Sequence, residues 1–458
     1  MNKKELTKNW LGDCLPTIFA LLMSGLYSVM DGLFIGRAVG DAGLAAVNLA
    51  WPIPAVITAL GIAIGIGGSI LYSTARGKGE YIRGERWYRL SVGSLVATGC
   101  LLTVLLYLGY PWILQILGAK GEVYEQAARY SQIITGGCLF QILGGGMIPI
   151  LRNRGMALGA MISMTTGMLS NLGLNYILIF GFGLGIRGAA IGTVTAQGSV
   201  IIIGSILILR QGRRKAAAIR AMADGDSIES KENKDNKESK ELGLAEAIFQ
   251  IFKTGISAFG LSLAPTVVLI FTNYRCLRYG GDTAVACYAV ISYITFPVQS
   301  ILTGIGDGSQ PLMSYFNGCK RREEVEFIKR SAKRLATVSG FVLMTGVWIA
   351  APILPKFFGL SDVAEQYFVQ GMRISSAAFL FMGAARFHIA YMGAILRTKE
   401  ASLLIYGETM AISPFLLLVL PEQFGMTGIW CVLPASQVIM LLLYKIRYGR
   451  SEKETVEN

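Results

Sequence analysis

Residues 37–77 read RAVGDAGLAAVNLAWPIPAVITALGIAIGIGGSILYSTARG, and residues 278–318 read RYGGDTAVACYAVISYITFPVQSILTGIGDGSQPLMSYFNG. The second stretch aligns with the first, without a gap, at a displacement of 241 positions. Arg37 meets Arg278, Gly40 meets Gly281, Asp41 meets Asp282 and Ala45 meets Ala286. Further on, Gly65 meets Gly306, Gly67 meets Gly308, Ser73 meets Ser314 and Gly77 meets Gly318. In all, 11 of 41 positions are identical. Glycines mark places where backbones approach, so their coincidence weighs more than the count. A second echo, at a displacement of 240, joins Gly188 to Gly428 and Gln197 to Gln437. The chain reads as a tandem repeat.

Composition says where that repeat lives. Of 458 residues, 53% are hydrophobic and 16% charged, against about a quarter charged in a soluble domain. An ordinary soluble enzyme, a disordered regulator and a collagen-like fibre are excluded. Runs of about 20 apolar residues, enough for one bilayer crossing, recur near 12–36, 48–71, 90–110, 131–151, 157–180, 188–209, 255–279, 283–311, 335–355, 371–394, 402–421 and 427–447. The expected fold is therefore an all-α polytopic membrane protein, with twelve transmembrane helices in two pseudo-symmetric six-helix lobes. Six is even, so both halves enter the membrane alike. The repeat is parallel, about an axis along the membrane normal. Transporters that rock two bundles around a central cavity are built this way.

The segment 210–243 interrupts the pattern. Lys231, Lys234, Lys237 and Lys240 recur every three residues with acids between them, and nothing there builds a core. The expected organisation is a lobe at 1–209, a disordered cytoplasmic linker at 210–243 and a lobe at 244–458.

The net charge of +13 is placed by the membrane and not by a nucleic acid. Of 42 Lys and Arg residues, 33 fall in the N-terminus, the even-numbered loops and the C-terminus, eight in the odd loops or their edges, and one, Arg386, inside a span. The positive-inside rule then puts both termini in the cytoplasm, in a plasma or inner membrane. No nucleic-acid partner is expected. The partners are the lipid bilayer and a small-molecule substrate, and the chain is expected to act as a monomer. Seven scattered cysteines show no metal-ligand spacing. No P-loop, HExxH, GxSxG or CxxC occurs; GIGG at 65–68 and GGGMIP at 144–149 are packing surfaces inside apolar helices. No enzyme activity, cofactor or metal is expected. Without a nucleotide site, transport has to be driven by an ion gradient.

Ionisable residues within a membrane are expensive and default to function. They are few: Asp31 in the first span, Asp307 in the eighth, Arg386 and His388 in the tenth, and Glu408 in the eleventh. A lone carboxylate such as Asp31 can load a proton, or hold sodium or a cationic substrate. Arg386, His388 and Glu408 are candidate partners across two helices, for structure or for coupling. Asp307, near a helix end, is placed to reach water. Asn171 with Asn175, and Thr193 with Gln197, are each spaced i, i+4, so each pair shares one helix face. Tyr27, Trp51, Tyr274, Tyr288, Tyr293 and Phe296 are candidates to line a cavity for organic cations, with packing as the alternative.

These residues resemble the multidrug and toxic compound extrusion (MATE) family over nearly the full length. Pro16, a candidate helix kink, stands fifteen residues before Asp31, which leads into GLFIGRAVGDAGLAAVNLAWPI. NLGLNYILIFGFGLGIRGAAIGTVTAQ resembles the family's Asn-x-x-x-Asp/Asn segment and FGxGxxGAA turn; YGGDTAVACYAVISYI, GDGSQPLMSYFNG and FGMTGIW follow in order. The resemblance implies alternating access and export of cationic or hydrophobic organic compounds against inward H+ or Na+. It implies an ion network at Asp31, Asn171, Asn175 and Thr193. Asn175 stands where several relatives carry Asp, one acid fewer. The seventh span lacks the acid that some members use in the second lobe, so Glu408 or Asp307 would substitute or that site is absent. A flippase for lipid-linked oligosaccharides is the alternative. Its anionic substrates call for several arginines within the spans. A channel or a membrane enzyme fits less well, for want of a repeated pore motif or a catalytic constellation.

Overall fold

The structure is a computed structural model describing residues 2–223, 243–355 and 362–457; the side chains at 27–29, 31–33, 36, 40–42, 44, 214–223, 282, 286, 362–363 and 448–457 lie outside the description. The described residues are helical almost throughout, with no strand among them. The first half runs α1 (Lys3–Ala50), α2 (Pro52–Gly77), α3 (Tyr81–Ile116), α4 (Gly121–Gly136), α5 (Cys138–Asn153), α6 (Ala157–Tyr176), a π-helical turn at Ile177–Gly181, and α7 (Gly185–Ala223). The second runs α8 (Leu244–Gly318), α9 (Arg322–Ala350), α10 (Asp362–Ser376), α11 (Ala378–Ala394), α12 (Thr398–Tyr406), a π-helical turn at Gly407–Ile412, and α13 (Ser413–Glu457). α8 breaks at Gly281 (φ +63°) and α13 at Gly425 (φ +55°), conformations that favour glycine. α7 continues beyond 210 to Ala223; residues 224–242 of the expected linker lie outside the described residues.

Six described segments are long and apolar enough to cross a membrane, and α4 with α5, bent by 60°, makes a seventh. Twelve spans are consistent with the remaining helices: α1 alone has 48 residues, about 72 Å, more than twice a ~30 Å hydrocarbon core. The surface says the same. α3 exposes Leu101, Val104, Leu105, Leu108 and Trp112 along one stripe, and α9 exposes Val338, Phe341, Val342 and Ile349. In water such patches are a liability. In lipid they are the outer wall. The chain is an all-α, multi-pass membrane protein.

The 241-residue repeat is written in the backbone. Gly79 (φ +84°) ends one helix and Lys320 (φ +58°) ends its counterpart; Gly155 (φ +77°) and Leu396 (φ +65°) do likewise. The cap hydrogen bonds shift in step. Glu80 N–H donates to the Ala75 carbonyl as Arg321 N–H does to Phe316, and Met156 N–H to Leu151 as Arg397 N–H does to Met392. These are Schellman-type closures. Packing shifts in step too: α3 on α5, α5 on α7 and α4 on α7 recur as α9 on α11, α11 on α13 and α10 on α13.

The described chain forms two compact units. One comprises Met30–Gly255 with Ser314–Arg321, the other Met1–Val29 with Ile256–Met313 and Arg322–Asn458. Each half therefore sends the start of its first helix into the unit built from the other half. In the first unit a Cβ at Gly67 would overlap the Ile251 carbonyl and lie 2.8 Å from the Gly255 nitrogen. In the second, a Cβ at Gly308 would lie 2.7 Å from Cys14 Cα, and one at Gly304 2.8 Å from Ile18 Cα; beside them Trp10 Nε1 donates to Ser309 Oγ at 2.8 Å. Gly67 on Gly255 and Gly308 on Cys14 are the same contact, 241 residues on. Small residues are what allow it, because transmembrane helices associate by close backbone packing.

Candidate ion-coupling and substrate site

Beside its π turn each unit buries a polar cluster, and the two differ. In the first unit, α6 presents Asn171 and Asn175 on one face, both 1% exposed. Asn175 Nδ2 donates to Asn171 Oδ1 at 2.7 Å, Asn171 Nδ2 to Thr193 Oγ1 at 3.4 Å, and Thr193 Oγ1 to the Ala189 carbonyl at 3.0 Å. The result is an uncharged relay from α6 to α7. Gly192 makes room for it, since a Cβ there would overlap Asn175 Oδ1. Gln197, one turn beyond Thr193, turns instead against α5, where Gly144 leaves space for its amide. Asp31 and Tyr27 lie on α1, but their side chains are outside the description.

The second unit buries charge. Arg386 on α11 and Glu408 in the π turn are 5% and 4% exposed, and Arg386 Nη1 meets Glu408 Oε2 at 3.4 Å. Gln437 of α13 donates through Nε2 to Glu408 Oε1. Pro414 follows the turn that carries Glu408, whereas the π turn at Ile177–Gly181 has no proline after it. Turns of this π type recur at functional sites. His388, two residues from Arg386, points elsewhere and stacks on Tyr444 with ring centroids 3.7 Å apart. Lys329 Nζ lies 4.7 Å from the Tyr391 ring centroid.

So Arg386 and Glu408 are brought together, and His388 is not part of their contact. Asp307 is half-buried on α8, and Pro16 lies within α1. Tyr288 is half-buried and stacked on Trp430, with ring centroids 6.2 Å apart. Three participants escaped sequence reasoning. Gln437 was visible as the partner of Gln197 in the repeat, but not as a ligand of an acid. Thr409 and Arg275 gave less signal. Arg275 sits at the edge of a span by hydropathy yet is 4% exposed; its Nε donates to the Leu417 carbonyl at 2.6 Å and its Nη2 to that of Leu418 at 2.8 Å, with Glu422 at 3.5 Å. Leu417 has an unclaimed carbonyl because Pro421, four residues on, has no N–H to give it. Among the described residues, no three His, Cys, Asp or Glu side chains converge on a metal position.

The profile of the MatE family matches residues 16–177 and 257–406. The chain belongs to the MatE family. Its MatE relatives include the multidrug export protein MepA of Staphylococcus haemolyticus, 27% identical over 449 residues, covering 97% of this chain and 93% of that protein. MepA of Staphylococcus aureus (strain NCTC 8325) is 26% identical over 462 residues, covering 99% and 96%. Among solved structures, the outward-facing conformation of a multidrug resistance MATE family transporter superposes with a TM-score of 0.85 at 20% identity, covering 99% of this chain and 97% of that one. At that identity the likeness concerns the fold. This MatE protein is a membrane transporter of small molecules by family, and its family is not one of enzymes.

Proposed function

We propose that this chain is a secondary active multidrug antiporter. It exports cationic or hydrophobic organic compounds in exchange for H+ or Na+ by alternating access. It acts in the plasma membrane, as a monomer with both termini in the cytoplasm and lobes at 1–209 and 244–458. What carries the reading is the buried Asn175–Asn171–Thr193 relay, in a chain that aligns end to end with multidrug export proteins. Buried amides and hydroxyls in an apolar bundle are costly unless satisfied. A relay of them can follow the charge state of a neighbouring acid by turning its hydrogen bonds.

In this mechanism Asp31 takes a proton or a sodium ion from outside. Loading reorganises the relay through Asn171, Asn175 and Thr193, substrate leaves the cavity, and the emptied site returns. The flippase alternative needs free buried cations for an anionic headgroup. Arg275 and Arg386, the buried arginines of the second unit that have a described acid partner, already face Glu422 and Glu408. The test is ethidium efflux from liposomes holding the purified protein, with proton and sodium gradients imposed separately. Wild type should show efflux driven by one gradient, and Asp31→Asn should abolish it at unchanged expression. Efflux by the variant at the wild-type rate would exclude this mechanism. No efflux by folded wild type under either gradient would favour the flippase.

A further inference from the structure

A groove of about 680 Å³ runs along α10, outside both polar clusters. Glu365, Gln366, Val369, Gln370, Arg373 and Ile374 line it, all on one face of the helix. Gln370 Nε2 donates to Thr427 Oγ1 at 3.1 Å. Arg373 has no such anchor. Its guanidinium lies over the Trp348 indole, 4.6 Å from the ring centroid, and its Nε is buried without a hydrogen-bond partner. Arg154, Arg275 and Arg386 each face an acid, but among the described residues no acid is paired with Arg373. Leaving a buried donor of a charged group without an acceptor is costly. An anionic oxygen in the groove would satisfy it.

The first half shows the same place without that need. Counting back 241 residues, Arg373 falls on Gln132 and Trp348 on Tyr107. The register holds, because Phe368 and Met372 are buried just as Ala127 and Ser131 are. There Gln132 Nε2 donates to the Tyr107 hydroxyl at 3.4 Å. The arginine on that face, Arg129, meets Glu125 at 3.7 Å. In the second half Glu125 and Arg129 become Gln366 and Gln370, so the internal pair is gone, and Arg373 is the cation that remains. Glu365 is two turns away, about 12 Å along the helix axis.

Trp348 shows where this cation sits in the membrane. It is 49% exposed and continues the lipid-facing stripe of α9 that carries Phe341, Val342 and Ile349. It stands 26 residues beyond Arg322, about 39 Å along the axis from the basic end of the helix, past a hydrocarbon core of ~30 Å. Tryptophan is enriched at the headgroup level. We propose that the α10 groove holds the headgroup phosphate of an anionic phospholipid, in the leaflet away from the basic loops, with Arg373 as its ligand. The planar guanidinium donates two parallel N–H groups to phosphate oxygens, while the indole lies against its face. On the orientation proposed above, that leaflet is the outer one. A single arginine at the interface holds a headgroup in place; it does not provide the passage across the membrane that a flippase needs.

The experiment is native mass spectrometry of the full-length protein in detergent, titrated with dioleoylphosphatidylglycerol and, separately, with dioleoylphosphatidylcholine. Wild type should bind one phosphatidylglycerol more tightly than those that follow, and more tightly than phosphatidylcholine. Arg373→Gln, which places here the amide that the first half carries, should weaken that site about tenfold or more and remove the preference. Arg373→Lys keeps the charge without the fork and should fall between. Arg330→Gln, near the other end of α9 at a side chain 68% exposed, should leave the site unchanged. A first site as tight in Arg373→Gln as in wild type overturns the proposal, and so does a wild type that binds both lipids equally. If Arg373→Gln does not fold, Arg373→Lys decides by the same criterion. Inorganic phosphate in large excess should not displace the lipid; displacement would mean a site for free oxyanions and would overturn the lipid assignment. Reversed termini would exchange the leaflet and leave this binding intact, so failure of the proposed orientation and failure of this proposal are distinct.

Discussion

The two halves of this protein share a backbone and differ in what they bury. Both follow the same helix order, the same caps and the same helix contacts, 241 residues apart. Yet the first half buries an uncharged relay, Asn175 to Asn171 to Thr193, and the second buries an ion pair, Arg386 with Glu408. The glutamine common to both makes the point. Gln197 lies against glycine in the first half, whereas its echo Gln437 binds an acid in the second. The fold is therefore set by positions that repeat, glycines above all. The chemistry sits at positions released from the repeat.

The sharpest way to break the comparison is to remove charge from the second half alone. Arg386→Met leaves Glu408 buried without its counter-ion, and losing one partner of a buried pair costs about 3–5 kcal/mol. The detergent-solubilised variant should melt well below wild type. Arg386→Met with Glu408→Gln should recover most of that loss, because no uncompensated charge remains. A single variant that melts with wild type would show that the pair contributes no stability, and that the halves differ less than their residues suggest.

Much of this was legible in advance. Hydropathy marks the spans, and the alignment of Gly67 with Gly308 and Gly77 with Gly318 reveals the repeat. The i, i+4 spacing of Asn171 and Asn175 puts them on one face, as found. What was not legible arises from contacts distant in the chain. The crossing of residues 1–29 into the second half's unit, and of 244–255 into the first's, leaves no mark, because Cys14 and Gly255 read as ordinary small residues. The burial of Arg275 depends on a carbonyl released by Pro421, 146 residues away in sequence. The π turn at Glu408 is shared with Ile177–Gly181 on a different local sequence, and hydropathy does not record it.

That crossing gives a second, smaller test. Gly67→Ala drives a methyl group into the Ile251 carbonyl, while Gly308→Ala meets Cys14 Cα at 2.7 Å. Overpacking of this kind costs about 1–3 kcal/mol. Both variants should lower the melting temperature, and Gly67→Ala should lower it more, because its overlap is deeper. Equal and negligible shifts would mean that the paired crossings are not where the helices are held.

The smallest expected effect concerns a single cap. Gly155 and Leu396 close equivalent helices with equivalent hydrogen bonds at φ +77° and +65°. A Cβ at Gly155 would meet nothing within 4 Å, so conformation alone, not space, separates the two residues. A side chain held in the left-handed region costs about 1–2 kcal/mol, offset in part by the entropy that glycine loses on folding, about 0.5–1 kcal/mol. Leu396→Gly should therefore raise stability by about 1 kcal/mol or less, and Gly155→Ala should lower it by a similar amount. The opposite signs are what thermal unfolding of the two variants would check. If Leu396→Gly were destabilising instead, the 40% exposed leucine would have to contribute packing against lipid or protein that exceeds its backbone strain. The repeat would then have traded a glycine for an apolar contact at that cap.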